Sequence, residues 1–401
     1  MSALALVPAV AADAGGTGRG DVRLYGRAVL PVETYAPGPM AGVFFVPSGQ
    51  STGEMNGITF PTIGQPVEGF SGIVEGRRSG EWLAMTDNGF GNKANSFDFR
   101  IRAYFLTPDF RTARGGSGDV SVNRYIEFSD PNRVIGFPIV NGATDRVLTG
   151  ADIDPESLQR GSNGDLWVGD EFGPWILHFD GGGRLLEAPI ALPGVTSPSN
   201  PLPPGPATVR NSRGIEGMAI SPDGWSLYVV LEGALDADLP TAPLSRKVYR
   251  IDTRTHVVTA IGTYKVEADG GREHFVADVQ MLDRNRLLVV ERDGGRGVTA
   301  TFRRVYEIDL RVVDATGAYV KQQVVDLASI PDPRGVSLPA IHAGDVLLGD
   351  PFGVACESIE ALRIVSDSRL LLGCDNNFPN SGRNPGLADD NELILVDIPR
   401  R

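Results

Sequence analysis

Acidic residues recur in pairs along this chain, and each pair encloses two short apolar runs joined by a turn. The clearest pair is Glu216 and Glu232, which lie on either side of the turn Pro222, Asp223 and Gly224. Two apolar runs around such a turn predict an antiparallel hairpin. Folding the segment about its midpoint brings the two carboxylates together at the open end of the hairpin. Carboxylates gathered in this way can hold a hard divalent cation.

Four further segments repeat this arrangement. The five segments start at residues 71, 156, 216, 278 and 357, which are 85, 60, 62 and 79 residues apart. These intervals predict a degenerate repeat of about the size of a propeller blade. One further segment begins with a hydroxyl residue and the other three begin with an acid. Their end residues are Ser71 and Asp87, Glu156 and Asp170, Asp278 and Glu291, and Glu357 and Asp375.

Composition favours an all-β chain. The 50 glycines and 29 prolines supply turns, and no stretch shows sustained helical periodicity of its apolar residues. We therefore expect one β-propeller of five or six blades over residues 21–401. Five blade cores are visible, and residues 40–66 leave room for a sixth.

The N-terminal strand at residues 21–31 is predicted to close the ring. The last predicted strand, at residues 391–398, has no obvious fourth strand after it. A strand supplied from the N-terminus would remove the exposed edges of an open ring.

The paired acids predict a metal site at the mouth of the propeller channel. The innermost strands of a propeller line an axial channel, so the ends of the five hairpins should surround its opening. Oxygen ligands suit Ca²⁺ or another hard divalent cation, whereas four histidines and two cysteines give little support for zinc. The predicted metal ligands are Asp87, Glu156, Asp170, Glu216, Glu232, Asp278, Glu291, Glu357 and Asp375.

Several motifs together resemble one protein family. They include Asp-Glu-Phe-Gly-Pro at 170–174, Arg-Gly-Ile-Glu-Gly at 213–217 and Cys-Asp-Asn-Asn at 374–377. In this order, from about residue 70 to the C-terminus, they resemble the family named for esterase-like activity of phytase, a group of mostly exported bacterial β-propellers. The resemblance implies a propeller fold and hydrolysis of phosphate or other esters with the help of a divalent metal. The chain departs from the family pattern at Ser157 and Ser358, where the family usually has glycine.

Arginines beside the acids favour an anionic substrate. Arg213 precedes the Glu216 strand and Arg292 follows Glu291, and a guanidinium can grip two phosphate oxygens at once. We expect a small phosphate ester to be polarised by the cation while Glu171 or Glu216 handles the proton. The predicted catalytic residues are Glu171, Glu216, Arg213 and Arg292.

Two other functions stay open. One is a calcium-dependent lactonase or carboxylesterase, whose neutral substrate would not need the arginines. The other is a non-catalytic propeller that calcium stabilises and whose loops bind a partner. A serine esterase is disfavoured, because the chain has no Gly-x-Ser-x-Gly motif.

The net charge of −13 argues against a nucleic-acid partner, because phosphate backbones require a basic surface. No apolar run reaches the length of about 18 residues that a membrane span needs. Residues 1–20 are predicted to be a signal-like or a disordered segment, and the first reading implies export to the periplasm or beyond.

Cys356 and Cys374 are predicted to face each other across one hairpin, either as a disulfide or as two buried thiols. A disulfide would be consistent with an oxidising compartment.

Overall fold

The computed structural model describes residues 21–202, 205–268 and 271–400. These residues form β-strands and loops, with two short 3₁₀-helical turns, Val43–Phe45 and Gly297–Thr299, and no α-helix. None of them belongs to a helix long and apolar enough to cross a membrane. The signal-like segment at residues 1–20 lies outside the described residues.

Twenty-five strands make up the described chain. In chain order they are β1 (Arg23–Leu30), β2 (Tyr35–Ala36), β3 (Gly53–Met55), β4 (Ile58–Phe60), β5 (Gln65–Pro66), β6 (Phe70–Glu75), β7 (Trp82–Thr86), β8 (Arg102–Pro108), β9 (Arg111–Thr112), β10 (Val120–Glu127), β11 (Pro155–Arg160), β12 (Leu166–Asp170), β13 (Trp175–Phe179), β14 (Ile190–Ala191), β15 (Ile215–Ile220), β16 (Ser226–Leu231), β17 (Ser245–Asp252), β18 (Val258–Lys265), β19 (His274–Met281), β20 (Arg286–Asp293), β21 (Arg303–Val313), β22 (Tyr319–Asp326), β23 (Ser358–Ser366), β24 (Arg369–Asp375) and β25 (Asn391–Asp397).

Five antiparallel sheets form the blades of a propeller. Blade I has the strand order β6-β7-β8-β10, blade II β11-β12-β13-β14, blade III β15-β16-β17-β18, blade IV β19-β20-β21-β22, and blade V β23-β24-β25-β1-β9. The all-β propeller prediction is therefore confirmed, with five blades. The suggestion of a sixth blade at residues 40–66 is wrong, because this region forms only the small ribbons β3-β4 and β2-β5 together with a 3₁₀ turn.

The innermost strands close into a ring. β6 packs against β11, β11 against β15, β15 against β19, β19 against β23, and β23 against β6. Strands near the axis have a neighbouring blade on each face, so all six residues of β16 are buried. The outermost strand of the same blade, β18, is mostly half-buried or exposed. This difference explains why the inner hairpins appear in the sequence as continuous apolar runs.

The N-terminal strand β1 joins the last blade. It runs antiparallel to β25 from the pair Arg23 and Asp397 to the pair Leu30 and Asn391. It thus occupies the fourth position of blade V, where the sequence predicted a strand. Its contribution to closing the ring stays a prediction.

Each inner hairpin contains a β-bulge at the same place. The first strand of the hairpin has one residue more than its partner just after it begins, which shifts the register there. A bulge of this kind bends the strand and redirects the side chain of the extra residue. The five extra residues, called the bulge positions below, are Ser71, Glu156, Glu216, Ala277 and Glu360.

A buried ion pair joins β1 to blade V and its loops. The Glu392 carboxylate accepts hydrogen bonds from Arg27 at 2.7 Å and from Arg383 at 2.7 Å. Arg383 also donates to the carbonyls of Val346 and Gly353. Burial opposes ionisation of Glu392, but the two guanidiniums outweigh it and lower its pKa to about 2.

Replacing Glu392 by glutamine should lower the free energy of unfolding at pH 7 by about 3 kcal/mol. The folded-state pKa is below that of the unfolded chain, so the carboxylate stabilises the fold above about pH 5 and loses this effect as the pH falls towards 2. The difference between wild type and Glu392→Gln should therefore shrink from pH 7 to pH 3.5 in chemical denaturation. Asp367→Asn, at an exposed ion pair with Arg400, serves as the control and should change little. A pH-independent difference would contradict this account.

Candidate functional site

The bulge positions bring carboxylates together at the propeller axis. Ligand oxygens of Glu156, Glu216 and Glu360 lie within 4.8 Å of one another, although the residues come from blades II, III and V. Ser71, the bulge residue of blade I, donates a hydrogen bond from its Oγ to Glu360 Oε2 at 2.9 Å. Ala277 is the bulge residue of blade IV and offers no polar atom. Three of the five blades therefore contribute an acid to the same point.

A second set of side chains surrounds the first. In each hairpin, one residue of the second strand pairs with the residue just before the bulge. The next residue along the second strand lies at the mouth of the channel. In blades I to III the backbone N–H of this residue donates to the residue before the inner strand, at 2.8 to 3.0 Å. These residues, called the rim positions below, are Asp87, Glu171, Glu232, Arg292 and Asp375.

The two sets combine into one acidic cluster. Ligand oxygens of Asp154, Glu156 and Glu171 lie within 4.8 Å of one another, and so do those of Glu171, Glu216 and Glu232. Each of these side chains is buried. With Glu360 they line a cavity of about 410 Å³. Its wall also includes Asp87, Asn88, Arg213, Phe275, Arg292, Glu357, Asp375 and Asn377.

Arg292 is the cationic member of the rim positions. Its Nη2 lies 3.2 Å from Glu232, 3.6 Å from Glu216 and 3.6 Å from Glu360. Arg213 reaches the same cluster from the loop before β15 and pairs with Glu232 at 3.0 Å. Two guanidiniums among so many carboxylates leave the cavity strongly negative.

Burial and mutual repulsion disfavour the ionised carboxylates. Burial, and then the charge of Asp154, raises the pKa of Glu156 well above its usual range. Burial, and then the charge of Glu360, does the same to the pKa of Glu216. Burial also raises the pKa of Asp154 to about 6. Protons or bound cations must therefore reduce the negative charge of the cavity at neutral pH.

The donor atoms fit a hard cation. Glu156 Oε2 and Asp154 Oδ1 are buried and accept no hydrogen bond from any described residue. Carboxylate oxygens, with the amide oxygens of Asn88 and Asn377 on the same wall, are the ligands that Ca²⁺ prefers.

All four residues predicted to be catalytic line this cavity: Glu171, Glu216, Arg213 and Arg292. Of the nine predicted metal ligands, six line it as well: Asp87, Glu156, Glu216, Glu232, Glu357 and Asp375.

Asp170 and Glu291 lie outside the cavity, because each directly precedes a rim position. The carboxylate of Asp170 instead accepts hydrogen bonds from the backbone N–H of Asp154 at 2.8 Å and of Gly173 at 2.7 Å. Glu291 accepts from Tyr264 and Lys321, each at 2.7 Å. Both carboxylates have local partners that hold the loops and strands behind the cavity.

Asp278 also lies outside the cavity, since it follows the bulge residue Ala277. Its carboxylate accepts the backbone N–H of Val279 at 2.7 Å and that of Leu362 at 2.8 Å. Asp278 therefore joins blade IV to blade V. In blade IV, the position that corresponds to Glu216 is occupied by alanine.

Glu360 and Asp154 also line the cavity, although the sequence did not predict them as ligands. Glu360, followed by alanine and leucine, matches Glu216, followed by glycine and methionine, and this similarity was the available signal. Asp154 precedes β11 in a loop, and no repeat of the pattern indicates it.

Cys356 and Cys374 form a disulfide with a Cα–Cα distance of 5.9 Å, which decides between the two alternatives that the sequence left open. It lies beside Glu357 and Asp375 at the edge of the cavity. Glu357 forms an ion pair with Arg296 at 3.5 Å.

Comparison with curated proteins gives one partial match. An uncharacterized secreted protein of Arthroderma benhamiae is 29% identical over 185 residues, which cover 37% of this chain and 36% of the relative. The chain thus spans about a third of the length of that relative.

Solved structures resemble this chain more remotely. A calcium-binding protein, regucalcin from Agrobacterium tumefaciens, has a TM-score of 0.40 at 12% identity and covers 84% of this chain and 93% of its own. The periplasmic gluconolactonase of Pseudomonas aeruginosa has a TM-score of 0.36 at 13% identity and covers 94% of this chain and 100% of its own. Likenesses this distant carry no argument about function.

The family described as phytase-like, with esterase-like activity of phytase, matches residues 65–378. This range contains every blade core and every cavity residue described above. The chain therefore belongs to the phytase-like family named for esterase-like activity of phytase.

Proposed function

We propose that this protein hydrolyses phosphate esters with the help of a hard divalent cation, Ca²⁺ being the best fit. One observation carries the proposal: the carboxylates of Glu156, Glu216 and Glu360 converge beside two arginines in a single cavity. The family to which the chain belongs supports an ester-hydrolysing activity.

The bulge carboxylates would hold the cation. Their oxygens are close enough for one ion to contact all three, and an oxygen of Asp154 lies within 4.8 Å of one of Glu156. A bound cation would supply Lewis acidity, polarising an ester oxygen and making water a better nucleophile. The raised pKa of Glu156 and of Glu216 is consistent with carboxylates whose ionised form a bound cation would stabilise.

The arginines would bind the phosphoryl group. Arg292 Nε has no hydrogen-bond partner among the described residues, and the side chain is buried in the cavity wall. Arg213 and Arg292 both contact the ring of Phe275, at 4.2 and 5.2 Å from its centroid, which fixes their positions. Donors held in this way suit the equatorial oxygens of a phosphate.

Glu171 would move the proton. Burial, and then the charge of Glu232, raises its pKa well above the usual range, so Glu171 can carry a proton at neutral pH. In the proposed reaction a water oxygen bonds to phosphorus and the ester P–O bond breaks. The departing oxygen receives a proton from Glu171, and the water loses one to a neighbouring carboxylate such as Glu216. The products are an alcohol and inorganic phosphate.

A second candidate is hydrolysis of a lactone or another carboxylic ester. Two features of the cavity favour this reaction. Both arginines already pair with Glu232, and the excess of carboxylates would not repel a neutral substrate. Binding of calcium without any hydrolysis would indicate the third function, a non-catalytic propeller.

We also propose export. The disulfide is typical of proteins in oxidising compartments, and the relative in Arthroderma benhamiae is described as secreted. Residues 1–20 would then direct export, and residues 21–401 would form the propeller domain.

Glu360→Gln and Glu216→Gln should each weaken Ca²⁺ binding at least tenfold, because each removes a charged ligand of the proposed site. Isothermal titration of the chelator-treated protein with CaCl₂ measures the affinity. Asp278→Asn is the matched control. This variant should lower the melting temperature, since its amide cannot accept both backbone N–H groups, yet leave the affinity within about threefold. Equal losses of affinity in Asp278→Asn and Glu360→Gln would contradict the proposed ligand set.

Glu171→Gln should lower kcat for phosphate monoesters by about 10²- to 10⁴-fold and leave Ca²⁺ affinity nearly unchanged, because glutamine cannot transfer the proton. Glu216→Gln should lose both turnover and affinity. A panel of phosphate monoesters, phosphate diesters and lactones, assayed with chelator and after addition of Ca²⁺, provides the measurement. Turnover of lactones alone would replace the proposal by the second candidate, and calcium-independent turnover would exclude both.

A further inference from the structure

A second cavity, of about 210 Å³, opens beside the acidic cavity. Apolar side chains supply much of its wall. These are Phe45, Met55, Phe90, Phe378 and Pro379.

The two cavities share three wall residues, namely Asp87, Gly91 and Asn377. The two cavities therefore adjoin at these three residues, called the junction below. A substrate that lies across the junction would contact both cavities.

Two rim positions hold the backbone at the junction, and Gly91 borders open space there. The Asp87 carboxylate accepts the N–H of Gly89 at 2.7 Å, and the Asp375 carboxylate accepts the N–H of Asn377 at 2.7 Å. Gly91 has a φ of 77°, and a Cβ added to it would meet no atom within 4 Å. The backbone at this point thus borders free space.

The aromatic wall is preformed. Phe45 stacks on Phe60 with centroids 4.5 Å apart and meets Phe90 edge-on at 5.4 Å. Phe90 lies 6.0 Å from Phe378. Rings interlocked in this way keep their positions, and offset and edge-to-face contacts of this kind are favourable.

Phe45 and Met55 come from outside the blades. Phe45 ends the 3₁₀ turn Val43–Phe45, and Met55 ends strand β3 of the small ribbon. This region is therefore an addition to the propeller that covers one side of the channel mouth.

No lysine or arginine is among the described residues that line the apolar cavity; its polar members are Asp87, Asn95, Asn377 and Asn380. A second phosphate group would meet aromatic rings and a carboxylate there. A densely phosphorylated polyol is consequently a poor occupant, whereas an uncharged ring is a good one. A cavity of about 150 Å³ is already large enough to bind benzene.

We propose that this cavity binds the alcohol portion of the substrate and selects an apolar one, about the size of a single aromatic ring. The inference rests on the proposed hydrolysis of phosphate esters and names the substrate class for it. When the P–O bond breaks, the alcohol with its new proton remains in the apolar cavity and phosphate remains among the arginines.

Benzyl phosphate and ethyl phosphate test this selection, because both release a primary alcohol and differ mainly in the ring. For the full chain loaded with Ca²⁺, kcat/KM should be at least tenfold higher for benzyl phosphate. Phe45→Ala should reduce the benzyl-to-ethyl ratio about tenfold, mainly through KM. Gly91→Asn, which places a side chain at the junction in a backbone conformation that asparagine tolerates, should reduce the ratio as well.

Phe97→Ala is the matched control. Phe97 has the same side chain, is 43% exposed and does not line the cavity, so the ratio should stay at the wild-type value. A wild-type ratio near one would overturn the inference, and so would equal ratios in Phe45→Ala and Phe97→Ala.

Binding of non-hydrolysable phosphonates separates this inference from the proposed reaction. Benzylphosphonate should bind the calcium-loaded protein more tightly than ethylphosphonate, and Phe45→Ala should remove the preference. If no ester is hydrolysed but this preference is found, the proposed reaction is overturned and the inference about the apolar cavity is kept. Turnover of ethyl phosphate without any benzyl preference leaves the reaction standing and overturns the inference. Absence of both turnover and preference overturns both.

Discussion

One extra residue near the start of each inner hairpin determines where the carboxylates point. In a regular strand, side chains alternate between the two faces of the sheet, so Glu156 and Glu216 would point towards a neighbouring blade. The bulge redirects both side chains to the axis. The residue after the bulge is glycine, serine or alanine in every blade but blade IV, which has Asp278 there. In blade I it must be glycine, because a Cβ on Gly72 would lie 2.7 Å from Leu158 Cβ. The bulges and this close approach allow five strands to meet around one point.

Carboxylates at the axis repel one another, and the non-acidic ring members limit this repulsion. Ser71 donates a hydrogen bond to Glu360, and Ala277 adds no charge. Arg292 stands where the other four blades place an acid and contacts both Glu216 and Glu360. The remaining negative charge is more than these residues neutralise, and a cation is the simplest way to balance it without protonating the buried acids.

The sequence predicted the hairpins and many of the residues that line the cavity, but not the register of the paired strands. Taking residues at equal distances from a turn as partners assumes that both strands have the same number of residues. A bulge adds one residue to the first strand, so partners beyond it are wrong by one position. Asp278 was therefore expected at the axis although it follows the bulge of its strand. In blade V, whose inner hairpin has a second irregularity, the same assumption selected Glu357 instead of Glu360. Loop residues such as Phe45 belong to no repeat, so no pattern in the sequence could place them beside the cavity.

The role of a buried arginine depends on its position in the repeat. Arg246 and Arg303 are fully buried at the beginning of the third strands of blades III and IV. Each donates to a backbone carbonyl at the start of the next inner strand, that of His274 or Glu357. These arginines join successive blades and need no ligand to explain them. Arg292 occupies a rim position, where its partners are carboxylates of the cavity, and burial alone does not explain a cation there. Its position in the repeat, more than its charge, is the reason to propose that Arg292 binds the substrate.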